Sequence, residues 1–121
     1  MPIATEIKLL QKSKRLEISF DNGKQFSLSC EYLRVHSPSA EVQGHGGPGV
    51  LQTGKKDVNI IAIEPVGHYA IKIIFDDGHS SGIFSWGTLY DLGNHYDEYW
   101  HTYLKRLEQE GGSREPAANR N

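Results

Sequence analysis

The sequence predicts an α+β domain: antiparallel β-hairpins in a meander, packed with one or two C-terminal helices, with a long polar loop between two β units. Three observations carry this prediction. Apolar residues alternate at period two in both halves of the chain, glycine-containing turns interrupt the alternation, and helical spacing takes over beyond Ser85. With 121 residues, 37% of them hydrophobic and 23% charged, the chain has room for a single core. It is read as one domain over residues 1–109 and a tail over 110–121.

The first strand is expected over Ile7–Leu10, before a Lys12-Ser13-Lys14 turn. Arg15–Phe20 (RLEISF) places Leu16, Ile18 and Phe20 on one face, and Asn22-Gly23 is a strong short hairpin signal before the return strand KQFSLS. CEYLR, from Cys30, is read as a short helical segment. Between Asn59 and Phe84 the pattern gives three strands joined by two tight turns. Ile61, Ile63 and Pro65 are expected to alternate on the first, and Ile71, Ile73 and Phe75 on the second. Pro65 lacks a backbone donor and is expected at a strand end or sheet edge.

LEISFDNGKQFSL, from Leu16, is echoed 55 residues later by IKIIFDDGHSSGI, from Ile71. Both hairpins are therefore expected to pass the chain to a helix over the same sheet. Beyond Ser85, Trp86, Leu89 and Tyr90 have the spacing of one helical face, and Gly93 is expected to end that helix. A second helix is expected to start with Asp97 as its cap and to present Trp100, Tyr103, Leu104 and Leu107 on one side. GGSREPAANRN, from Gly111, has no apolar anchor and is expected to be disordered.

A net charge of −2 supplies no general attraction to nucleic acid. No stretch approaches the roughly 18 consecutive apolar residues of a membrane span, and the N-terminus lacks the apolar core of a signal peptide. A cytoplasmic location is expected, with neither nucleic acid nor membrane as a partner. The single cysteine, Cys30, cannot form an internal disulfide and is read as a small buried apolar residue.

The candidate functional segment is RVHSPSAEVQGHGGPG, from Arg34 to Gly49. It mixes charge, amide and imidazole in a loop carried by a sheet, which is where binding residues usually sit. None of the six histidines pairs at the spacing that puts two imidazoles on one helical face. His68, His95 and His101 are read as solvated. If the loop folds over the second hairpin, His36, His45 and His79 would converge with Glu41 or Asp77 in a nitrogen and oxygen site suited to iron or zinc. Ser37 or Ser39 with His36 or His45 and Glu41 would make a hydrolase triad, although no nucleophile elbow is present. GHGGPG is neither a P-loop nor a dinucleotide fingerprint. Arg34, Lys55 and Lys56 are candidates to hold an acidic partner surface.

EYLRVHSPSAEVQGHG, DVNIIAIEPVGHYAIKIIFDDGHSSGIFSW and LYDLG, taken together and in this order, resemble the DUF971 family, also described as the γ-butyrobetaine hydroxylase-like N-terminal domain. The resemblance runs from about Ile7 to Tyr103. In carnitine-pathway hydroxylases the similar domain precedes an iron and 2-oxoglutarate-dependent catalytic domain and binds zinc through three cysteines and a histidine. Their W-L-R-D-N motif corresponds to Tyr32–His36 here. The cysteine places fall around Ser37, Ser39 and Glu41 to Val42, none of which is cysteine, while the histidine matches His79. The resemblance therefore implies a module without the family's thiolate zinc site, and the chain is expected to hold no oxygenase domain. A similar domain also ends plastid Mrp-type P-loop proteins that carry iron–sulfur clusters.

The functional expectation is a small non-catalytic accessory module that docks on a partner protein, in iron–sulfur or iron-dependent metabolism. Its binding surface would comprise Arg34, His36, Ser37, Ser39, Glu41, Gln43, His45 and Trp86. The alternative is a protein binding iron or zinc through His36, His45, His79 and Glu41; a hydrolase is the third reading.

Overall fold

Repeated turn chemistry organises the chain into two similar β-β-β-α units. The computed structural model describes residues 2–44 and 49–116. Strands β1 (Ala4–Leu10), β2 (Arg15–Phe20) and β3 (Gln25–Ser29) form one antiparallel sheet in that order. Strands β4 (Ile60–Val66), β5 (Ala70–Phe75) and β6 (Ile83–Ser85) form a second. In the β2–β3 turn, Phe20 N–H donates to Lys24 O at 2.8 Å and Gly23 N–H to Phe20 O at 3.0 Å. In the β5–β6 turn, Phe75 N–H donates to His79 O at 2.9 Å and Gly78 N–H to Phe75 O at 3.3 Å. Gly23 (φ 87°) and Gly78 (φ 91°) occupy the left-handed position that this turn requires.

Each sheet hands the chain to its own helix through a serine cap. Ser29 Oγ accepts from Tyr32 N–H at the start of α1 (Cys30–Val35), and Ser85 Oγ accepts from Thr88 N–H at the start of α3 (Trp86–Asn94). The echo is thus present in three dimensions, but the single shared sheet expected from it is corrected to two sheets. Side chains join them: Gln11 Nε2 donates to Ile60 O at 3.0 Å, and Asn59 Nδ2 donates to Gln11 O at 2.9 Å.

The α+β prediction holds, and the core is built from the alternating residues. Leu16, Ile18, Phe20, Leu28, Ile71, Ile73 and Phe75 are all buried in one cluster with Tyr32, Leu33, Phe84 and Leu89. Each such side chain contributes roughly 1.5–3 kcal/mol on burial. The face expected of β4 is corrected by a bulge between Ile60 and Ala62. Ile60 is buried, Ile61 is 57% exposed, and the phase resumes with Ile63 opposite Ile73. Pro65 lies on β4, an edge strand, where its missing N–H costs no ladder bond.

Two helix boundaries also differ from expectation. Gly93 does not stop α3 but is its last residue but one, and Phe26 packs where its Cβ would be. Helix α4 (Tyr96–Gln109) starts after His95 without a side-chain cap, and Asp97 is in its first turn instead. Tyr103 and Leu107 are buried on its inner face, Trp100 packs beside them, and Leu104 is exposed.

The expectation of disorder from Gly111 is corrected over 111–115, where Ser113 O accepts from Gly54 N–H and Arg114 O from Lys56 N–H. The anchor is polar rather than apolar: Arg114 pairs with the buried Glu31. Among the described residues, no helix is long and apolar enough to cross a membrane.

Candidate functional site

The loop after α1 is shaped by what its residues cannot do. Pro38 has no N–H to continue the helix, and Ser39 caps a further single turn, α2 (Ala40–Gln43), by accepting from Glu41 N–H at 3.2 Å. The Ser39 and Glu41 pair is a helix-start signal inside what composition alone presents as a loop. Gln43 Nε2 returns to donate to Ser37 O at 2.8 Å, closing the segment into a compact two-sided structure.

One side faces the turn after β5 through a ring of polar contacts. Ser37 Oγ lies 2.9 Å from His79 Nε2, His79 Nδ1 lies 3.7 Å from Glu41 Oε2, and Ser81 Oγ donates to Glu41 Oε1 at 2.6 Å. Ser39 Oγ lies 2.6 Å from Ser81 Oγ, and Ser39 N–H returns to Ser37 Oγ at 3.3 Å. The donors follow in sequence. Ser81 gives its only proton to the carboxylate, so Ser39 donates to Ser81. Ser37 accepts from Ser39 N–H and meets Nε2 as donor or acceptor according to the His79 tautomer. Glu41, an acceptor, favours a proton on Nδ1 of His79, the arrangement in which Ser37 donates to Nε2.

The electrostatics favour the neutral imidazole. Burial lowers the His79 pKa, and the nearby Arg34 cation lowers it further against the upward pull of Glu41 and Asp77. The Ser81 hydrogen bond, with help from His79 and Arg34, holds the Glu41 carboxyl below its ordinary range.

Arg34, Lys55 and Asp77 brace the ring. Arg34 Nε and Lys55 Nζ lie 2.8 and 2.6 Å from Asp77 Oδ2, and His79 N–H donates to Asp77 Oδ1 at 3.1 Å. Burial would raise the Asp77 pKa, but the Lys55, His79 N–H and Arg34 contacts hold it down to about 2. Arg34 also donates to Gln52 Oε1, and Lys56 pairs with Glu115. Arg34, Lys55 and Lys56, expected to hold a partner's acidic surface, are each engaged by an acidic group of this chain, and Arg34 is buried.

His36 turns to the other side. Its Nδ1 lies 2.8 Å from Tyr32 O, and its ring packs among Tyr32, Tyr99 and Tyr103. Burial lowers its pKa, with the Tyr32 carbonyl acting in the opposite direction. There a cleft of about 840 Å³ opens between the loop and α3 and α4, with Val42, Leu51 and Leu92 among its apolar lining and His36, Asp91 and Thr102 among its polar lining. Trp86 is not brought to the loop: its Nε1 donates to His68 O at 2.8 Å in the β4–β5 turn. His45 lies outside the described residues.

Of the metal candidates, His79 and Glu41 meet and His36 does not join them. Among the described residues no three His, Cys, Asp or Glu side chains converge. The groups that surround His79 do not fit structural zinc, which takes thiolates and neutral imidazoles; here they are a serine hydroxyl and a single carboxylate. The expected triad of serine, loop histidine and Glu41 is likewise rearranged, with Ser37, His79 and Glu41 in contact order. Ser37 is 0% exposed, and Gly82 packs so closely on it that an added Cβ would collide with Oγ. Its hydroxyl has no face toward a substrate.

Sequence reasoning missed Ser81. The available signal was the pair of alternating motifs Ser37-Pro38-Ser39 and His79-Ser80-Ser81, in which both ring-bearing positions are two apart.

The ring brings together Ser37, Ser39, Glu41 and His79, where the resemblance implies the family's zinc ligands, and the comparisons bear on the family alone. A model described as γ-butyrobetaine hydroxylase-like, N-terminal, matches residues 7–90. The chain belongs to this family. A DUF971 family protein of unknown function from Acidithiobacillus ferrooxidans, solved by crystallography, is 37% identical with a TM-score of 0.63, over 74% of this chain and 91% of that one. Two proteins solved by NMR in solution are also similar to this γ-butyrobetaine hydroxylase-like domain. One is 57% identical with a TM-score of 0.83, over 100% and 94% of the two chains. The other is 48% identical with a TM-score of 0.85, over 99% and 95%. No curated protein matches the sequence.

Proposed function

We propose that this chain is a non-catalytic binding module that receives a segment of a partner protein in the cleft between the α1–α2 loop and helices α3 and α4. The observation that carries the reading is the cleft itself, about 840 Å³, with apolar side chains and a few convergent polar groups in its lining. The ring of polar contacts supports one wall by fastening the loop to the β5–β6 turn, so the wall is preorganised. By the family resemblance, the partner belongs to iron–sulfur or iron-dependent metabolism, with this chain as an accessory.

The test is affinity capture from cell extract followed by mass spectrometry, using the wild type beside Val50→Asp and Thr102→Arg. Val50 and Thr102 are exposed and line the cleft, so both variants should fold and both should lose the partner. A partner captured equally by all three proteins, or by none, sinks the cleft reading.

A further inference from the structure

A second polar constellation lies apart from the cleft: Glu31, Trp100, Ser113 and Arg114 are not among its lining residues. Glu31 is a carboxylate in the first turn of α1 with its side chain only 6% exposed. An ionised group so placed needs a hydrogen-bonded counter-charge, and Arg114 supplies it with two bonds, Nε to Oε2 at 2.9 Å and Nη2 to Oε1 at 2.7 Å. The same guanidinium lies 5.2 Å from the centre of the Trp100 ring. Main-chain donors flank this socket: Gly54 N–H reaches Ser113 O at 2.8 Å and Lys56 N–H reaches Arg114 O at 2.9 Å.

These features select one kind of occupant. A planar fork matches the carboxylate and stacks on the indole, which a lysine ammonium does not reproduce. The two N–H groups engage successive carbonyls of a passing chain and read no side chain, as in other recognition of peptides by main-chain bonds.

We propose that this groove is a docking site for an extended, arginine-bearing segment of a partner protein, and that Ser113–Glu115 fills it in cis as an autoinhibitory strap. Two facts favour exchange over a permanent seal. Arg114 reaches Glu31 from 83 positions away, so the plug is no local part of the helix it seals. The strap carries no apolar anchor, and both neighbours of Arg114 are exposed. A tethered competitor acts at a local concentration on the order of millimolar, so a partner gains entry by higher affinity or by several contacts at once.

The test is a titration of the 15N-labelled full chain with a blocked peptide of its own sequence 111–117, GGSREPA, followed by NMR. Arg114→Lys keeps a cation opposite Glu31 and so preserves folding, while weakening the strap. This variant should bind the peptide saturably, with shifts at the Gly54 and Lys56 amides and the Trp100 indole. The wild type should bind at least about tenfold more weakly, because its own strap competes. A peptide with lysine in place of arginine, or Glu31→Gln in the Arg114→Lys background, should abolish saturation. The proposal is overturned if folded Arg114→Lys shows no localised shifts, if wild type and variant bind equally, or if the lysine peptide binds as well. It is also overturned if tail exchange between two copies, seen as a dimer in gel filtration, is the only binding detected.

Discussion

At the scale of single residues, His79 decides how the loop responds to acid. Its pKa and that of His36 lie below the ordinary histidine value, so the unfolded chain binds more protons than the folded one once pH drops below about 6.5. Stability is then complete above that pH and declines as pH falls toward the folded values. Urea midpoints measured between about pH 7.5 and 5 should fall, and His79→Gln should flatten the part of the slope that belongs to His79. The Asp77 contribution runs in a separate window, lost only as pH drops from the ordinary carboxylate value toward about 2. Ser37→Ala would leave His79 Nε2 and Ser39 N–H without their buried partner, at a cost of about 1–3 kcal/mol in urea unfolding; an unchanged midpoint would show that the ring carries no stability. Cys30, pushed up to about 11 by burial, should resist alkylation at neutral pH until the chain is unfolded, which a thiol-reactive dye reads directly.

At the scale of elements, packing overrides local preference at Gly93. Alanine is the better helix former by about 1 kcal/mol, and a helix interior normally gains from it. Here the added methyl would enter the space of the Phe26 ring, which itself packs against Phe20 and Tyr90. Gly93→Ala should therefore destabilise by about 1–3 kcal/mol, as overpacking does, and denaturant unfolding of this one variant separates the two effects by sign. The same conflict explains why the sequence reading ended α3 at that glycine: a glycine near the end of an apolar pattern reads as a stop, and the approach of a ring from another element leaves no local trace. The β4 bulge is similar, since alternation placed Ile61 inside whereas the extra residue turned it out.

For the whole molecule, the pair of Arg114 and Glu31 ties the last described residues to the first helix. Arg114→Ala would leave a buried carboxylate unpaired, at a cost of about 2 kcal/mol, below the range for a fully buried pair because the guanidinium is partly exposed. Its thermal midpoint should drop, whereas Arg114→Lys should recover much of the loss; equal stability of all three proteins would remove the strap from the account of folding.

Local pattern alone determined the two β units, their Asp-Asn-Gly and Asp-Asp-Gly turns, the helical segments that follow each, and most of the core, because alternation, turn chemistry and helical spacing each act over a few neighbouring residues. The family resemblance singled out His79 and the serine positions of the loop. Tertiary structure alone decided that His79 faces Ser37 and Glu41 while His36 faces the tyrosines, that Arg34 is spent on Asp77, and that a tail without apolar residues is held by a buried glutamate. Apart from the contact of His36 with Tyr32 in its own helix, these are meetings between groups some 40 to 80 positions apart, settled by how the sheets and helices of the described residues pack, and no short-range property of the chain encodes which of several polar partners each group will find.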